Sequence, residues 1–114
     1  MNPLTGDAIV KYIDEHLNEK LTLARLSEHF HFSAATLQTY FHRRFNQPLK
    51  AYVTEQRRWL SYKLLVTTPD PVKAVAITVG LKSSSTFCHF FRKEFGISPE
   101  KFRQAYHDAA RLLF

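Results

Sequence analysis

Two short stretches carry most of the side chains able to do chemistry. In the first, Ala34, Ala35, Gln38, Thr39, His42 and Arg43 interleave with Leu37, Tyr40, Phe41 and Phe45. In the second, Ser84, Ser85, Cys88, His89, Arg92 and Lys93 interleave in the same way with Phe87, Phe90, Phe91 and Phe95. On a helix, each polar set falls on the face opposite the aromatic one. Neither set contains an acid. Gln, Thr, Ser and Arg can hydrogen-bond base edges or phosphates, and small residues near a helix start allow close approach. A merely solvated face usually mixes both charge signs.

Other chemistries find less support. The chain has six histidines and one cysteine. His29 and His31 stand two apart and share no helical face, and the adjacent Cys88 and His89 diverge similarly. No further cysteine or paired carboxylate completes a tetrahedral metal site. No glycine-rich phosphate loop and no G-x-S-x-G occurs. Ser83–Ser85 with His89 reads as a helix cap and groove face rather than a nucleophile with its base. No catalytic residue, cofactor or metal is therefore expected, and an enzyme ranks last. Cys88 as a redox sensor has the electropositive setting this requires, leaving exposure to decide it.

The elements that must position these residues are all helical. Apolar residues recur at three and four, and no stretch sustains strand alternation with hairpin turns. Helices are expected over about 7–18, 23–30, 34–45, 48–66, 71–79, 84–95 and 99–111. Thr22, Ser33, Asp70 and Ser98 are the expected N-caps, with Pro71 and Pro99 at first helical positions. Gly80 and Gly96 sit where helices end. The organisation reads as a subdomain over 1–47, a linker helix over 48–67 and a second subdomain over 68–114. At 114 residues, folding buries roughly two-thirds of the extended chain's surface, so no disulfide is needed. No apolar run is long enough to span a membrane, and the N-terminus lacks the basic head and apolar run of a signal peptide.

The chain nearly repeats itself. Leu26, Ser27 and Phe30 match Val75, Ala76 and Val79 at an offset of 49. Leu37, Tyr40, Phe41, Phe45 and Tyr52 match Phe87, Phe90, Phe91, Phe95 and Phe102 at an offset of 50. Each copy is a short helix, a tight turn and a longer helix. Helical hairpins share this apolar spacing, so one copy would say little. Two registered copies in a chain of net charge +6 and pI near 9.7 point to helix–turn–helix units and a polyanionic partner. Between His29 and Lys63 there are six Lys or Arg and one acid, Glu55. Residues 7–28 reverse this, with five acids and three bases, so the first helix is expected to face away from DNA or towards a protein.

The second copy resembles the arabinose-regulator (AraC/XylS) family of bacterial transcription regulators. Val75-Ala76, Val79-Gly80-Leu81, Ser83, Ser85, Phe87, Phe91, Lys93, Phe95-Gly96, Ser98-Pro99 and Phe102-Arg103 fall at the family's spacing. Leu26, Ser33, Leu37, Phe41, Phe45, Tyr52, Arg57 and Leu64-Leu65 agree in the first half, so the resemblance covers about 7–107. It implies an all-α fold of two helix–turn–helix subdomains joined by a long helix, with readout helices in adjacent major grooves. Ala34, Ala35, Gln38, Thr39, Ser84, Ser85, Cys88 and His89 correspond to the family's base-contacting slots. His42, Arg43, Arg44, Lys50, Arg57, Lys82, Arg92 and Lys93 are the expected phosphate contacts. Free N–H groups after Asn46-Gln47-Pro48 and Ser98-Pro99 would each meet a phosphate.

The chain departs from the family at His31, usually glycine, at Arg58, usually apolar, and at Ser61, usually alanine. The implied role is DNA-binding transcriptional regulation in the cytoplasm, activation ahead of repression. Double-stranded DNA is the expected partner, with RNA polymerase and an N-terminal effector or dimerisation domain as further ones. The alternatives are a helical protein-interaction module without DNA binding and, more remotely, an RNA binder.

Overall fold

The computed structural model describes residues 2–113. Among them are seven α-helices and no strand: α1 (Pro3–Glu15), α2 (Leu23–Phe30), α3 (Ala34–Phe45), α4 (Leu49–Thr67), α5 (Val72–Val79), α6 (Ser84–Phe95) and α7 (Pro99–Leu113). They form two compact units, one built on residues up to Gln56 and the other on residues from Arg57, with the boundary inside α4.

The first unit buries one face each of α1, α2, α3 and the start of α4. Ile9, Ile13, Leu26, Leu37 and Phe41 are fully buried, with Leu17, Leu49, Tyr52 and Val53 nearly so. Phe41, Phe45 and Tyr52 pack as a ring cluster, Phe45 and Tyr52 at 4.3 Å between centroids. The second unit repeats the arrangement with Phe91, Phe95 and Phe102, Phe91 and Phe95 at 4.3 Å. Leu65, Val75, Ala76, Val79 and Phe87 complete its core. Burying a Leu, Val or Phe side chain is worth about 1.5–3 kcal/mol. The repeated apolar register is therefore what holds each unit together.

Boundaries of the first, fifth and last helices differ from the sequence reading, α7 running on to Leu113 rather than ending near Arg111. The first helix begins at Pro3 rather than near Asp7, because Asn2 Oδ1 accepts from Thr5 N at 2.9 Å and a proline follows at the first turn. It ends at Glu15, where His16 caps it, Nδ1 donating to Tyr12 O at 2.6 Å. Asp70 does not cap the fifth helix. Pro71 is its N-cap residue, with no side-chain cap bond, and α5 begins at Val72. The Asp70 N–H is taken by Thr68 Oγ1 at 3.3 Å. The Asp70 carbonyl accepts from Arg103 Nη1 at 2.6 Å.

The departures at Ser61 and Arg58 have local explanations. Ser61 is fully buried and donates to Arg57 O at 2.7 Å, so the small slot is kept and the hydroxyl is satisfied. Arg58 lays its guanidinium over Phe95, 5.0 Å from the ring centroid, and covers aromatic surface in place of an apolar side chain.

Candidate nucleic-acid interface

Helices α3 and α6 are started the same way. Ser33 Oγ accepts from Thr36 N at 3.1 Å and Ser83 Oγ accepts from Thr86 N at 3.1 Å. Each serine hydroxyl also pairs with the threonine hydroxyl, at 2.9 and 3.1 Å. The preceding turns are closed by left-handed residues, His31 at φ 60° and Gly80 at φ 98°. Both α3 and α6 end on a left-handed residue as well, Asn46 at φ 55° and Gly96 at φ 82°. The glycine supplies that backbone freely at Gly80, whereas His31 adopts it against its own Cβ.

These caps place the outward faces. Ala34, Ala35, Gln38 and Thr39 are all exposed on α3, on the side away from buried Leu37 and Phe41. On α6, Ser85 and His89 are exposed while Ser84 and Cys88 are half-buried. Within each unit the four residues expected to meet bases therefore lie on one helix face, more open in the first copy. Cys88 is a free thiol.

The residues expected to meet phosphates divide into three groups. His42, Arg43, Lys50, Lys82, Arg92 and Lys93 are exposed. Arg43, Arg92 and Lys93 also stand in the last turns of α3 and α6, where cations complement the helix dipole. Arg57 is half-buried in α4, and burial pulls its guanidinium below the ordinary arginine value. Arg44 is exposed but engaged. Its Nη1 pairs with Asp7 Oδ1 at 3.1 Å and donates to Tyr40 Oη at 3.0 Å. The Asp7 bond, ahead of the Tyr40 contacts, raises the Arg44 pKa. Glu55, the acid within the basic stretch, accepts from Gln47 Nε2 at 3.0 Å.

At the two helix starts expected to meet phosphates, Tyr52 N donates to Pro48 O at 3.1 Å and Phe102 N to Ser98 O at 2.9 Å. Ser98 Oγ accepts from Lys101 N at 3.3 Å, which engages one of the first-turn N–H groups of α7. Among the described residues no group of three or more His, Cys, Asp or Glu could hold a metal ion. No described helix is long and apolar enough to cross a membrane.

Two contacts had no local signal in the sequence. Arg103 Nε donates to Leu65 O at 3.0 Å, tying α7 to α4, as well as reaching Asp70. Arg58 stacks on both Phe95 and Trp59. The partners of Arg103 lie 33 and 38 positions away, beyond the reach of any helical period.

The profile of the family described as Helix-turn-helix domain matches residues 26–105. The regulatory protein SoxS of Salmonella typhimurium is 30% identical over 95 residues, which are 83% of this chain and 89% of SoxS. The chain belongs to the AraC family. It is a DNA-binding transcriptional regulator of the bacterial helix–turn–helix type. The bifunctional transcriptional activator/DNA repair enzyme AdaA of Bacillus subtilis is 33% identical over 98 residues, 86% of this chain but only 46% of AdaA. Among solved structures, the DNA-binding domain of AdpA, in complex with a target DNA, superposes with a TM-score of 0.82 at 26% identity. That match covers 91% of this chain and 94% of that one. In this AraC-family fold α3 and α6 are the second helices of the two motifs, the ones that read DNA in helix–turn–helix proteins.

Proposed function

We propose that this AraC-family regulator reads a bipartite site by inserting α3 and α6 into adjacent major grooves. Ala34, Ala35, Gln38 and Thr39 face bases from α3, and Ser84, Ser85, Cys88 and His89 face them from α6. His42, Arg43, Lys50, Arg57, Lys82, Arg92 and Lys93 contact phosphates. Arg44, its Nη1 paired with Asp7, is the weakest of the expected phosphate contacts. The observation that carries this reading is the pair of acid-free outward faces set by equivalent Ser–Thr caps on α3 and α6. The 19 residues of α4 span about 28 Å at 1.5 Å per residue, comparable to one turn of B-DNA.

Activation of transcription is the proposed outcome, with RNA polymerase as the partner. The name of AdaA as an activator supports this by similarity. An N-terminal effector or dimerisation domain in the same polypeptide is a further proposed partner, since the chain matches less than half of AdaA. The role is binding rather than catalysis, in the cytoplasm where bacterial DNA is read. Selection of sites from randomised duplexes, followed by titration over salt, tests the proposal. A log–log salt slope on the order of −4 to −7 is expected for about five to eight neutralised phosphates. A flat response overturns it in favour of a protein-interaction module.

A further inference from the structure

Each unit places an arginine guanidinium over the last phenylalanine of its readout helix, but from a different part of the chain. In the first unit it is Arg44, from α3 itself, 5.4 Å from the Phe45 centroid. In the second it is Arg58, from α4, 5.0 Å from the Phe95 centroid and 5.6 Å from that of Trp59. Their free edges differ. Arg44 Nη1 is held by Asp7 and Tyr40, so its charge is already paired with a carboxylate. Among the described residues Arg58 has no hydrogen-bond or ion-pair partner. Glu94, the single acid of α6, makes no ion pair with it.

A guanidinium lying on a ring face loses little freedom when its N–H edge then binds an anion, because the plane is already fixed. Its five donors fit a phosphate in bidentate fashion. Phe95 ends the helix that carries Arg92 and Lys93, so the anion available there is the DNA backbone flanking the groove that α6 enters. We propose that Arg58 is a phosphate anchor of the second unit, held in place by Phe95 and Trp59, and that Arg44 is not its counterpart on DNA because its charge is paired with Asp7. This inference rests on the DNA-binding reading above.

The test uses Arg58→Leu, which restores the apolar residue usual at this slot and keeps Phe95 covered, so folding is preserved while the charge is removed. Arg58→Lys keeps the charge and loses the planar fork. Lys11→Gln, on α1, controls for a simple change in net charge. Binding to a random-sequence duplex is measured from 50 to 200 mM salt, with thermal unfolding alongside. For one lost phosphate contact the slope of Arg58→Leu should be shallower by about 0.9, an affinity loss about 3.5-fold smaller across that range than in the parent. Arg58→Lys should keep the parental slope with weaker binding, and Lys11→Gln should leave the slope unchanged. A folded Arg58→Leu with the parental slope overturns the assignment. A parental protein with no salt slope overturns the DNA-binding reading itself, so the two failures are distinct.

Discussion

His31 and Gly80 close corresponding turns with left-handed backbone, at φ 60° and φ 98°. A left-handed residue with a Cβ carries about 1–2 kcal/mol of steric cost. The His31 N–H still donates to Ser27 O at 2.9 Å, so the turn is made despite that cost. His31→Gly should stabilise the protein by about 0.5–1 kcal/mol, part of the relief being lost to glycine's greater freedom when unfolded. Gly80→Ala should destabilise it by about 1–2 kcal/mol. Denaturant midpoints of the two variants check both signs, and equal effects would contradict the strain assigned to His31.

Gly6 sits where α1 passes close to Tyr40. A Cβ there would stand 2.7 Å from Tyr40 Oη and 3.0 Å from its Cε2. Tyr40 has little room to yield, since Arg44 bonds its hydroxyl and itself pairs with Asp7. Alanine in a helix interior normally gains about 1 kcal/mol over glycine. Here overpacking, typically about 1–3 kcal/mol, should reverse the sign, so Gly6→Ala is expected to lower stability. In a Tyr40→Phe background, which removes the nearest atom, the loss should shrink. A double-mutant cycle measures the coupling, and additivity would mean the contact is not what constrains α1.

Gln38 and Arg92 should separate readout from positioning. Gln38 is exposed on the open face of α3, where a glutamine can pair bidentately with adenine N6 and N7. Gln38→Ala should cost about 1–3 kcal/mol on the selected site and relax preference at one base pair. Arg92→Ala should weaken all duplexes alike and flatten the salt slope by about one. With Ser84 and Cys88 half-buried, α6 should discriminate bases less sharply than α3. Binding to matched and singly mismatched sites decides it. Equal losses for Gln38→Ala on both would remove Gln38 from base readout.

Tyr52 should give the fold an alkaline limit. Burial, then the Asp14 carboxylate, pushes its phenol from an ordinary value of 10.0 up to about 12. The neutral phenol is thus favoured in the folded state. Its stabilising effect is complete below pH 10.0 and is lost as pH rises towards about 12. Tyr52→Phe should flatten stability across that window while keeping the ring against Phe45. Chemical denaturation at pH 9, 10 and 11 compares the two proteins, and parallel pH profiles would exclude Tyr52 as the source.

Much of the architecture was legible because it is periodic. The spacing of Leu37, Phe41 and Phe45, repeated by Phe87, Phe91 and Phe95, specifies helices that bury one face, and the core contains those residues. Thr22 and Ser33 caps were readable because an N-cap bond spans only three residues. Asp70 misled because it precedes a proline. Residues before proline favour extended backbone, and here the chain stays extended through Pro71, so the cap position moved on by one.

The amino-acid sequence by itself determined the all-α class, the two-copy organisation, the family and the side chains on the outward faces of α3 and α6, because all of these follow from the helical period and from contacts a few residues apart. Only the tertiary structure decided which cations are free. Arg43 and Arg44 are neighbours of the same charge, yet Arg43 is exposed while Arg44 pairs with Asp7, 37 positions away. Half-buried Arg58 stacks on Phe95, and Arg103 spans to Leu65 and Asp70. Each depends on where one helix crosses another. That crossing is set by packing of whole faces, which no local spacing encodes.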